Sequence, residues 1–270
     1  MSQKSFTISY PARHSGTDKS LINFIPGTPD LAALFFEGKE AEEKRRRFFV
    51  TDATVASLPC MQNFISKFDD GVCGKDNLLI LGSGEPYKTI ESVLTIVRAA
   101  FDANFTRKDI FIGIGGGVIC DITAFAASIY KRGASVQFVP TTLLSMVDAS
   151  LGGKTGCDFD NIKNVIGTFY PAEKLYFFPE FIKSLPENQY NSGLAEAFKT
   201  ALLFDKDFHW ERSSLHPTLA VYPPRDPILK YMSCPRPGPF VFETPPAPYN
   251  PRRRNDAGQD CRRRSGCSGA

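Results

Sequence analysis

The sequence predicts an α/β fold organised around a parallel β-sheet. Two observations carry this prediction: short apolar runs recur along the chain, and segments with helical spacing separate them. Strands that alternate with helices favour a parallel sheet, because each helix returns the chain to the same end of the sheet. The predicted strands are 5–10, 47–51, 77–81, 110–114, 135–140 and 175–179.

The first part of the chain predicts an edge strand, a helix and a buried strand. Residues 5–10 alternate between polar and apolar side chains, as an edge strand does. Residues 31–36 and the charged run after them indicate a helix with a solvated end, and we interpret the basic run 44–47 as part of that surface rather than as a nucleic-acid patch. Asp52 follows strand 47–51, where a carboxylate either accepts a ribose hydroxyl or caps the next helix.

Strand 77–81 runs into the turn GSGEPYK, residues 82–88. Its glycines and proline mark a strand-to-helix connection at the edge of the sheet where ligands bind. The helix after this turn places five apolar residues at helical spacing, and we predict that they form its core face. These residues are Ile90, Val93, Leu94, Val97 and Phe101.

Strand 110–114 ends in three consecutive glycines, Gly115, Gly116 and Gly117, and an apolar helical segment, 118–130, follows. Bare backbone N–H groups at the start of a helix suit a pyrophosphate. The G-x-G-x-x-G pattern is incomplete, because Val118 stands where its third glycine would fall. From this motif alone, a nucleotide site and a plain tight turn remain equally open.

Strand 135–140 ends at two hydroxyl residues, Thr141 and Thr142, which mark a candidate helix start. Residues 152–156 further on predict a flexible loop carrying one cation, Lys154. A P-loop would need a glycine where Asp148 stands, so ATP chemistry is disfavoured.

A last helix is predicted over 192–205, after a short element at 180–185. Its apolar stripe consists of Leu194, Phe198, Ala201 and Leu202. Glu196 and Lys199 lie three residues apart on the opposite side. From the residues alone, a surface ion pair is the favoured interpretation of these two.

Composition and charge argue against several classes of protein. The net charge of +3 gives no reason to expect nucleic acid or membrane as a partner. The N-terminus lacks the apolar core of a signal peptide, and no apolar run reaches transmembrane length. The seven cysteines show no paired metal spacing, so we expect reduced thiols in a cytoplasmic protein.

The chain changes character after about Arg212. Residues 215–270 are dense in proline and arginine and have no sustained helical or strand period. Such a segment buries too little apolar area to offset its conformational entropy, so disorder is expected there.

Three ordered motifs carry a resemblance to a known family. They are GGGVICD from Gly115, RGASVQFVPTTLLSMVDASLGGKTG from Arg132, and KNVIGTFYPA from Lys163. Together they resemble 3-dehydroquinate synthase, a sugar-phosphate cyclase of the shikimate pathway, over roughly 6–212. The resemblance implies a Rossmann-like NAD-binding domain, the cofactors NAD and zinc or cobalt, a sugar-phosphate substrate and a homodimer.

The resemblance also implies roles for individual residues. Those matching the NAD-contacting positions of the family are Ser83, Gly84, Glu85, Pro86, Tyr87, Lys88, Gly117, Val118, Ile119, Cys120, Asp121, Thr141, Thr142, Lys154, Lys163, Phe181, Ile182, Lys183 and Ser184. Asp52, Gly115 and Gly116 are further cofactor-binding candidates, from their places at the ends of predicted strands. Those matching the substrate pocket are Asp148, Lys154, Asn164 and Lys199, and Arg132 matches an arginine lent to the neighbouring subunit. Glu196, in GLAEAFK, matches a metal ligand.

The predicted domains are therefore an NAD-binding domain, 1–185, the start of a truncated helical domain, 186–212, and a disordered tail, 213–270. The histidine motifs that complete the metal site of the family are missing, and His14, His209 and His216 match neither. We therefore predict a lyase of the 3-dehydroquinate synthase type that is inactive as written. The alternatives are another sugar-phosphate cyclase, a polyol dehydrogenase of the same fold, or a non-catalytic NAD-binding remnant.

Overall fold

The computed structural model of this protein describes residues 4–10, 17–37, 40 and 43–204. The predicted disordered tail, 213–270, lies outside these residues, as do His14, His209 and His216. The described part of the predicted helical domain ends at Phe204.

In the part of the chain that the structure describes, nine strands form two sheets. Seven of them make one sheet in the order β1-β2-β9-β6-β5-β3-β4, in which every neighbouring pair is parallel except β1 with β2. The other two, β7 and β8, pair antiparallel as a hairpin. The strands are β1 Lys4–Ser9, β2 Lys19–Phe24, β3 Arg47–Asp52, β4 Asn77–Leu81, β5 Ile110–Gly115, β6 Ser135–Pro140, β7 Lys154–Phe159, β8 Ile162–Phe169 and β9 Lys174–Phe177.

The described residues also contain five α-helices, of which the first four lie between strands and the fifth follows β9: α1 Ala53–Ala56, α2 Pro59–Asp69, α3 Ile90–Asp102, α4 Gly117–Ile129 and α5 Glu187–Phe204. Shorter helical turns lie at Ala33–Glu37, Glu85–Tyr87, Tyr130–Arg132, Ser145–Ala149 and Pro179–Ser184. The α/β fold with a mostly parallel sheet is confirmed, and β1 lies at its edge as predicted.

Strand β5 runs through the centre of the core, and all six of its residues are buried. A strand covered on both faces has no polar side to show, which explains its continuous apolar sequence. Helix α4 packs on β5 and is buried along most of its length. Around Phe35, the rings of Phe49 and Tyr176 make edge-on aromatic contacts and that of Phe64 makes a tilted one.

The predicted core face of α3 is partly wrong. Val93 is fully buried, but Leu94 is 39% and Phe101 is 64% exposed. Ile96 and Ala100 are buried in their place. The apolar positions of this helix cover more than one face, so spacing alone did not show which face meets the sheet.

The interpretation of the basic run 44–47 as a solvated surface is wrong for Arg47, whereas Lys44 is exposed. Arg47 begins strand β3, and its guanidinium forms a buried ion pair of 2.6 Å with Asp76. It also donates to the backbone oxygens of Phe35 and Glu40. Arg47 therefore joins the segment before β3 to the segment before β4.

Residues 152–156, predicted as a flexible loop, lead into the β7–β8 hairpin. Lys154 begins β7 and pairs with Phe169 at the end of β8. At the turn, Asp160 and Asn161 have φ angles of 48° and 62°, the left-handed values that a tight hairpin turn requires. The hairpin fixes Lys154 and Asn164 on one antiparallel ribbon.

Candidate functional site

The candidate site lies where β3, β4, β5 and β6 end. These four strands are parallel neighbours, so their carboxyl ends meet at one edge of the sheet. Ligands of open α/β sheets bind outside this edge. The residues that follow the four strands are Asp52, the turn 82–88, the glycines 115–117 and the pair Thr141 and Thr142.

The glycine turn after β5 leaves no room for side chains. A Cβ atom on Gly115 would lie 2.6 Å from Cβ of Ile119, and one on Gly116 would lie 3.1 Å from Cγ2 of Thr142. Gly116 is the N-cap residue of α4 and makes no side-chain capping bond. The turn therefore presents bare backbone at a helix N-terminus.

The two threonines after β6 have different surroundings. Thr142 forms a reciprocal pair with Ser145, in which each backbone N–H donates to the other hydroxyl at 3.1–3.2 Å. The Thr141 N–H donates to the Gly115 oxygen at 2.9 Å, whereas its buried Oγ1 has no hydrogen-bond partner among the described residues. Because a buried hydroxyl is costly without a partner, Thr141 Oγ1 fits an added ligand beside the glycine turn.

The residues at the start of α4 differ in accessibility. Val118 is half-buried, whereas Ile119 and Cys120 are buried. Burial raises the pKa of the Cys120 thiol, so it remains protonated and acts as a small apolar residue. Where the resembled family often has glycine, Cys120 directs its sulfur towards the Gly115 oxygen, 3.9 Å away.

A buried lysine links the turn after β4 to α4 and to the hairpin. Lys88 is 7% exposed, and its Nζ lies 2.6 Å from Oδ2 of Asp121. The same Nζ donates to Oδ1 of Asn164 at 2.6 Å. Three segments far apart in sequence therefore converge on one ammonium group.

Two carboxyl groups near this lysine have raised pKa values. Burial raises the pKa of Asp121 to about 6; Lys88 opposes the shift, and the negative charges of Asp148 and Glu85 add to it. Burial also raises the pKa of Asp148, with Glu196 adding to the shift and Lys199 and Lys154 opposing it. Perturbed carboxyl groups gathered at one edge are characteristic of functional sites.

Helix α5 packs tightly on the turn after β6. A Cβ atom on Gly193 would lie 2.6 Å from Cβ of Leu143 and from the backbone nitrogen of Leu144. This close approach sets the position of Glu196 and Lys199, which form the ion pair predicted from their spacing. Sequence reasoning did not single out Gly193, although a glycine inside a helix commonly marks a close contact.

Asp52 caps a helix, which was one of its two predicted roles. Its Oδ1 accepts from the Val55 N–H at 3.0 Å and from the Ser83 hydroxyl at 3.0 Å. Ser83 in turn accepts from Thr54. The pair Asp52 and Ser83 thereby ties the ends of β3 and β4 together.

The rest of the 82–88 turn is exposed. Gly84 has a φ of 89° and precedes the helical turn that contains Pro86. Tyr87 is 45% exposed, and its ring covers Gly82, where a Cβ atom would lie 1.9 Å from it. Glu85 forms an exposed ion pair of 2.7 Å with Lys163 of the hairpin, which raises the pKa of that lysine.

The segment 181–184 borders an open apolar recess. Its lining residues are Thr28, Pro29, Leu58, Pro59, Cys60, Glu180, Phe181 and Ser184. Phe181 and Ile182 are buried, while Lys183 is exposed and forms an ion pair of 2.7 Å with Glu180. The recess lies against the start of α2, and α2 follows Asp52 and the short α1 in the chain.

Arg132 lies on an exposed turn after α4. Lys131 and Arg132 have φ angles of 46° and 70°, and Gly133 has one of 118°. Three residues in the left-handed region form a sharp connection from α4 to β6.

Within the described residues, no three His, Cys, Asp or Glu side chains gather as metal ligands. Glu196 is present, but it pairs with Lys199, a cation. The described residues therefore do not fit a catalytic metal by themselves, since such a site ordinarily takes three protein ligands.

Solved structures with a similar fold include two synthases that were solved with NAD⁺ and a divalent metal bound. A 2-deoxy-scyllo-inosose synthase solved with carbaglucose-6-phosphate, NAD⁺ and Co²⁺ is 23% identical, with a TM-score of 0.62 over 83% of this chain and 59% of that one. A 2-epi-5-epi-valiolone synthase from Streptomyces hygroscopicus, with NAD⁺ and Zn²⁺ bound, is 30% identical, with a TM-score of 0.57 over 73% of this chain and 54% of that one.

Sequence comparison finds similarity to 3-dehydroquinate synthases. Residues 78–192 match the model of the 3-dehydroquinate synthase N-terminal domain. The enzyme of Sulfurovum is 48% identical over 48% of this chain and 37% of its own length. That of Sulfurimonas denitrificans is 42% identical over 66% of this chain and 48% of its own length. The chain thus spans half or less of the length of these curated relatives.

A search of the described residues for membrane-crossing segments gave a negative result: none of their helices combines the length and the apolar character that a bilayer requires.

Proposed function

We propose that this chain carries the NAD-binding domain of a 3-dehydroquinate synthase. That enzyme cyclises 3-deoxy-arabino-heptulosonate 7-phosphate with loss of phosphate, a carbon–oxygen lyase reaction. The observation that carries the proposal is the orphaned Thr141 hydroxyl beside the bare glycine turn, inside the region that matches the family. Cytoplasmic location is part of the proposal, and the four described cysteines, all free thiols, agree with it.

Several groups at the carboxyl edge support the proposed NAD site. Backbone at Gly116 and Gly117 suits the pyrophosphate, and Thr141 Oγ1 supplies an unused hydroxyl close to it. Asp52 has a second oxygen for a ribose hydroxyl, because its capping bonds use Oδ1. The apolar recess beside Phe181 suits an adenine ring.

The side chains around the glycine turn suit a doubly anionic sugar phosphate. Lys154 and Lys199 are exposed cations whose charges oppose the rise in the pKa of Asp148. Ammonium groups such as these bind phosphate and carboxylate oxygens strongly. The raised pKa of Asp148 allows this carboxyl to hold a proton nearer to neutral pH than an ordinary aspartate does. Asn164 supplies an amide beside Lys88.

The reaction draws on both NAD and the chain. When bound, NAD would accept a hydride from a ring carbon of the substrate that carries a hydroxyl group. The chain's own part is to orient the substrate between Lys154, Asn164 and Lys199, with Asp148 as the group that holds a proton. An exposed arginine, Arg132, would reach the neighbouring site in the proposed homodimer.

The proposal includes a divalent metal, for which the described residues supply one ligand, Glu196. No step is derived through it, because the other ligands are not among those residues. Phosphate release from heptulosonate phosphate, with NAD and added zinc or cobalt, tests the function directly. We expect the chain to bind NAD but to release no phosphate above background. Turnover that disappears in Glu196→Ala would contradict this expectation and show a complete metal site.

The cyclised product separates the proposed enzyme from other sugar-phosphate cyclases. Should turnover occur, dehydroquinate as the product would support the assignment. A different carbocycle would overturn the substrate class while leaving NAD binding intact.

A further inference from the structure

The β7–β8 hairpin carries three residues of the proposed site: Lys154, Lys163 and Asn164. Strand β7 packs on α4 and buries Gly156 and Cys157, whereas most of β8, which carries Lys163 and Asn164, is exposed. The hydrogen bonds that join the hairpin to the turn after β4 therefore matter for the positions of Lys163 and Asn164.

Asp158 makes two of these contacts. Its backbone N–H donates to the Lys88 oxygen at 2.8 Å, and it forms an isolated parallel bridge with Thr89. Its carboxylate Oδ1 accepts from the backbone N–H of Asn164 at 2.8 Å. Asn164 Oδ1 then accepts from Lys88 Nζ at 2.6 Å, which closes a ring of three residues.

We propose that Asp158 is a positioning residue, whose carboxylate fixes the backbone of Asn164 so that Asn164 can hold Lys88 at the NAD site. This inference rests on the proposed function, because it takes Lys88 and Asn164 to be binding residues. Nothing in the sequence motifs assigns a role to Asp158.

The backbone of Asn164 shows why it needs an anchor. Its φ is 55°, in the left-handed region, which asparagine tolerates but which an unrestrained residue leaves readily. The bond from its N–H to Asp158 holds this conformation and thereby aims Oδ1 at the buried ammonium of Lys88. Without that bond, Asp121 would be the one side chain among the described residues that still pairs with Lys88.

The proposed role needs an acceptor and does not need a charge. An asparagine at 158 keeps a carbonyl oxygen for the Asn164 N–H, whereas an alanine removes it. The bond from the Asp158 backbone to Lys88 survives both substitutions. The two substitutions Asp158→Asn and Asp158→Ala therefore separate the loss of the hydrogen bond from the loss of the electrostatic effect of Asp158 on Lys163.

The first experiment measures the Kd of NAD for the full chain by calorimetry. We expect Asp158→Ala to weaken binding about tenfold, the effect of one lost hydrogen bond to a binding group, and Asp158→Asn to restore it. Asp160→Gly is the matched control, since it removes an exposed carboxylate from the same hairpin at a φ of 48°, which glycine adopts freely. It should bind NAD as the native chain does.

A double-mutant cycle tests the route through Asn164. In an Asn164→Ala background, Asp158→Ala should cause no further loss, because the side chain that it positions is already gone. Equal losses in Asp158→Asn and Asp158→Ala, no loss in Asp158→Ala, or fully additive losses in the cycle would each overturn the proposal.

Hydrogen exchange of the Asn164 amide distinguishes failure of this inference from failure of the proposed function. The amide should be protected in the native chain and in Asp158→Asn, and should exchange rapidly in Asp158→Ala. If the native chain does not bind NAD, the proposed function fails, and this exchange pattern alone decides whether Asp158 fixes Asn164. Rapid exchange in the native chain would overturn the inference whatever the result with NAD.

Discussion

The two ends of the central sheet use the same kinds of charged residue in different ways. At the amino end, cations and carboxylates satisfy each other: Arg47 pairs with Asp76, and Arg45 bridges Glu43 and Glu173. Arg45 lowers the pKa of Glu43 to about 2, as expected of a carboxylate that already has its partner.

Polar groups at the carboxyl end of the sheet have fewer hydrogen-bond and ion-pair partners. The Thr141 hydroxyl is buried without a partner among the described residues, and bare glycine backbone lies beside it. Asp121 and Asp148 have raised pKa values although lysines lie near them.

Raised pKa values alone do not separate the two ends, because burial also raises the pKa of Asp76. The difference lies in the partners: Asp76 accepts from the Arg47 backbone and its guanidinium at 2.7 Å each. Groups at the amino end thus stabilise the fold, while those at the carboxyl end are available to a ligand. This difference predicts that a substitution at the amino end lowers stability without lowering NAD affinity, and that one at the carboxyl end does the converse.

The largest effect is expected from Arg47→Met at the amino end. It leaves the Asp76 carboxylate buried without its cation, which should lower the free energy of unfolding by about 3–5 kcal/mol. Urea unfolding measures the loss, with the exposed Arg98→Met as control. Under conditions where Arg47→Met stays folded, its affinity for NAD should equal that of the native chain. A loss of affinity in the folded variant would contradict the separation.

Gly116→Val at the carboxyl end should give the converse result. A side chain here meets Thr142 and blocks the approach of the pyrophosphate, so NAD affinity should fall by about 100-fold or more, while the folded state persists. Gly152→Val is the control, because a Cβ atom there has no neighbour within 4 Å. Calorimetry on both variants checks the prediction. Equal affinities would show that the glycine turn is only a tight turn.

A smaller effect concerns the pH dependence of stability. Because the folded-state pKa of Asp121 is about 6, above the ordinary aspartate value, the folded chain retains a proton that the unfolded chain has lost. The contribution of Asp121 to stability is therefore present at low pH and declines as pH rises from about 4 to about 6.

Asp121→Asn removes this titration. The stability of the variant relative to the native chain should rise across the same pH window, by about 3 kcal/mol at most. Thermal unfolding of both proteins at several pH values measures the difference. A constant difference from pH 4 to pH 7 would show that Asp121 does not titrate in this range.

The sequence predicted the parts of the fold that depend on local pattern. Strands β3, β5 and β6 are mainly apolar runs because both of their faces are covered. The glycines at 115–117 mark a tight turn whether or not a ligand binds there. The hairpin was missed because β8 is largely exposed and lacks a clear buried face. Burial of Arg47 was missed because its partner lies 29 residues away, beyond any local signal.

In the candidate site, too, contacts between residues far apart in sequence were not predicted. Family motifs identified Lys88, Asp121 and Asn164 one by one, but not their convergence, since Lys88 and Asn164 are 76 residues apart in sequence. Asp158 was not singled out because its role depends on that convergence. The predicted domain boundary at 185 and the disordered tail stay predictions.

The central claim is that NAD binds the carboxyl end of the sheet and leaves the amino end unchanged. Its most direct test is to follow the backbone amide signals of the full chain by NMR during titration with NAD. We predict saturable shifts at 115–121, at Thr141 and Thr142, and at 83–88, with none at Arg45, Arg47 or Glu173. No shifts in a folded chain, or shifts centred on the amino end, would contradict the account.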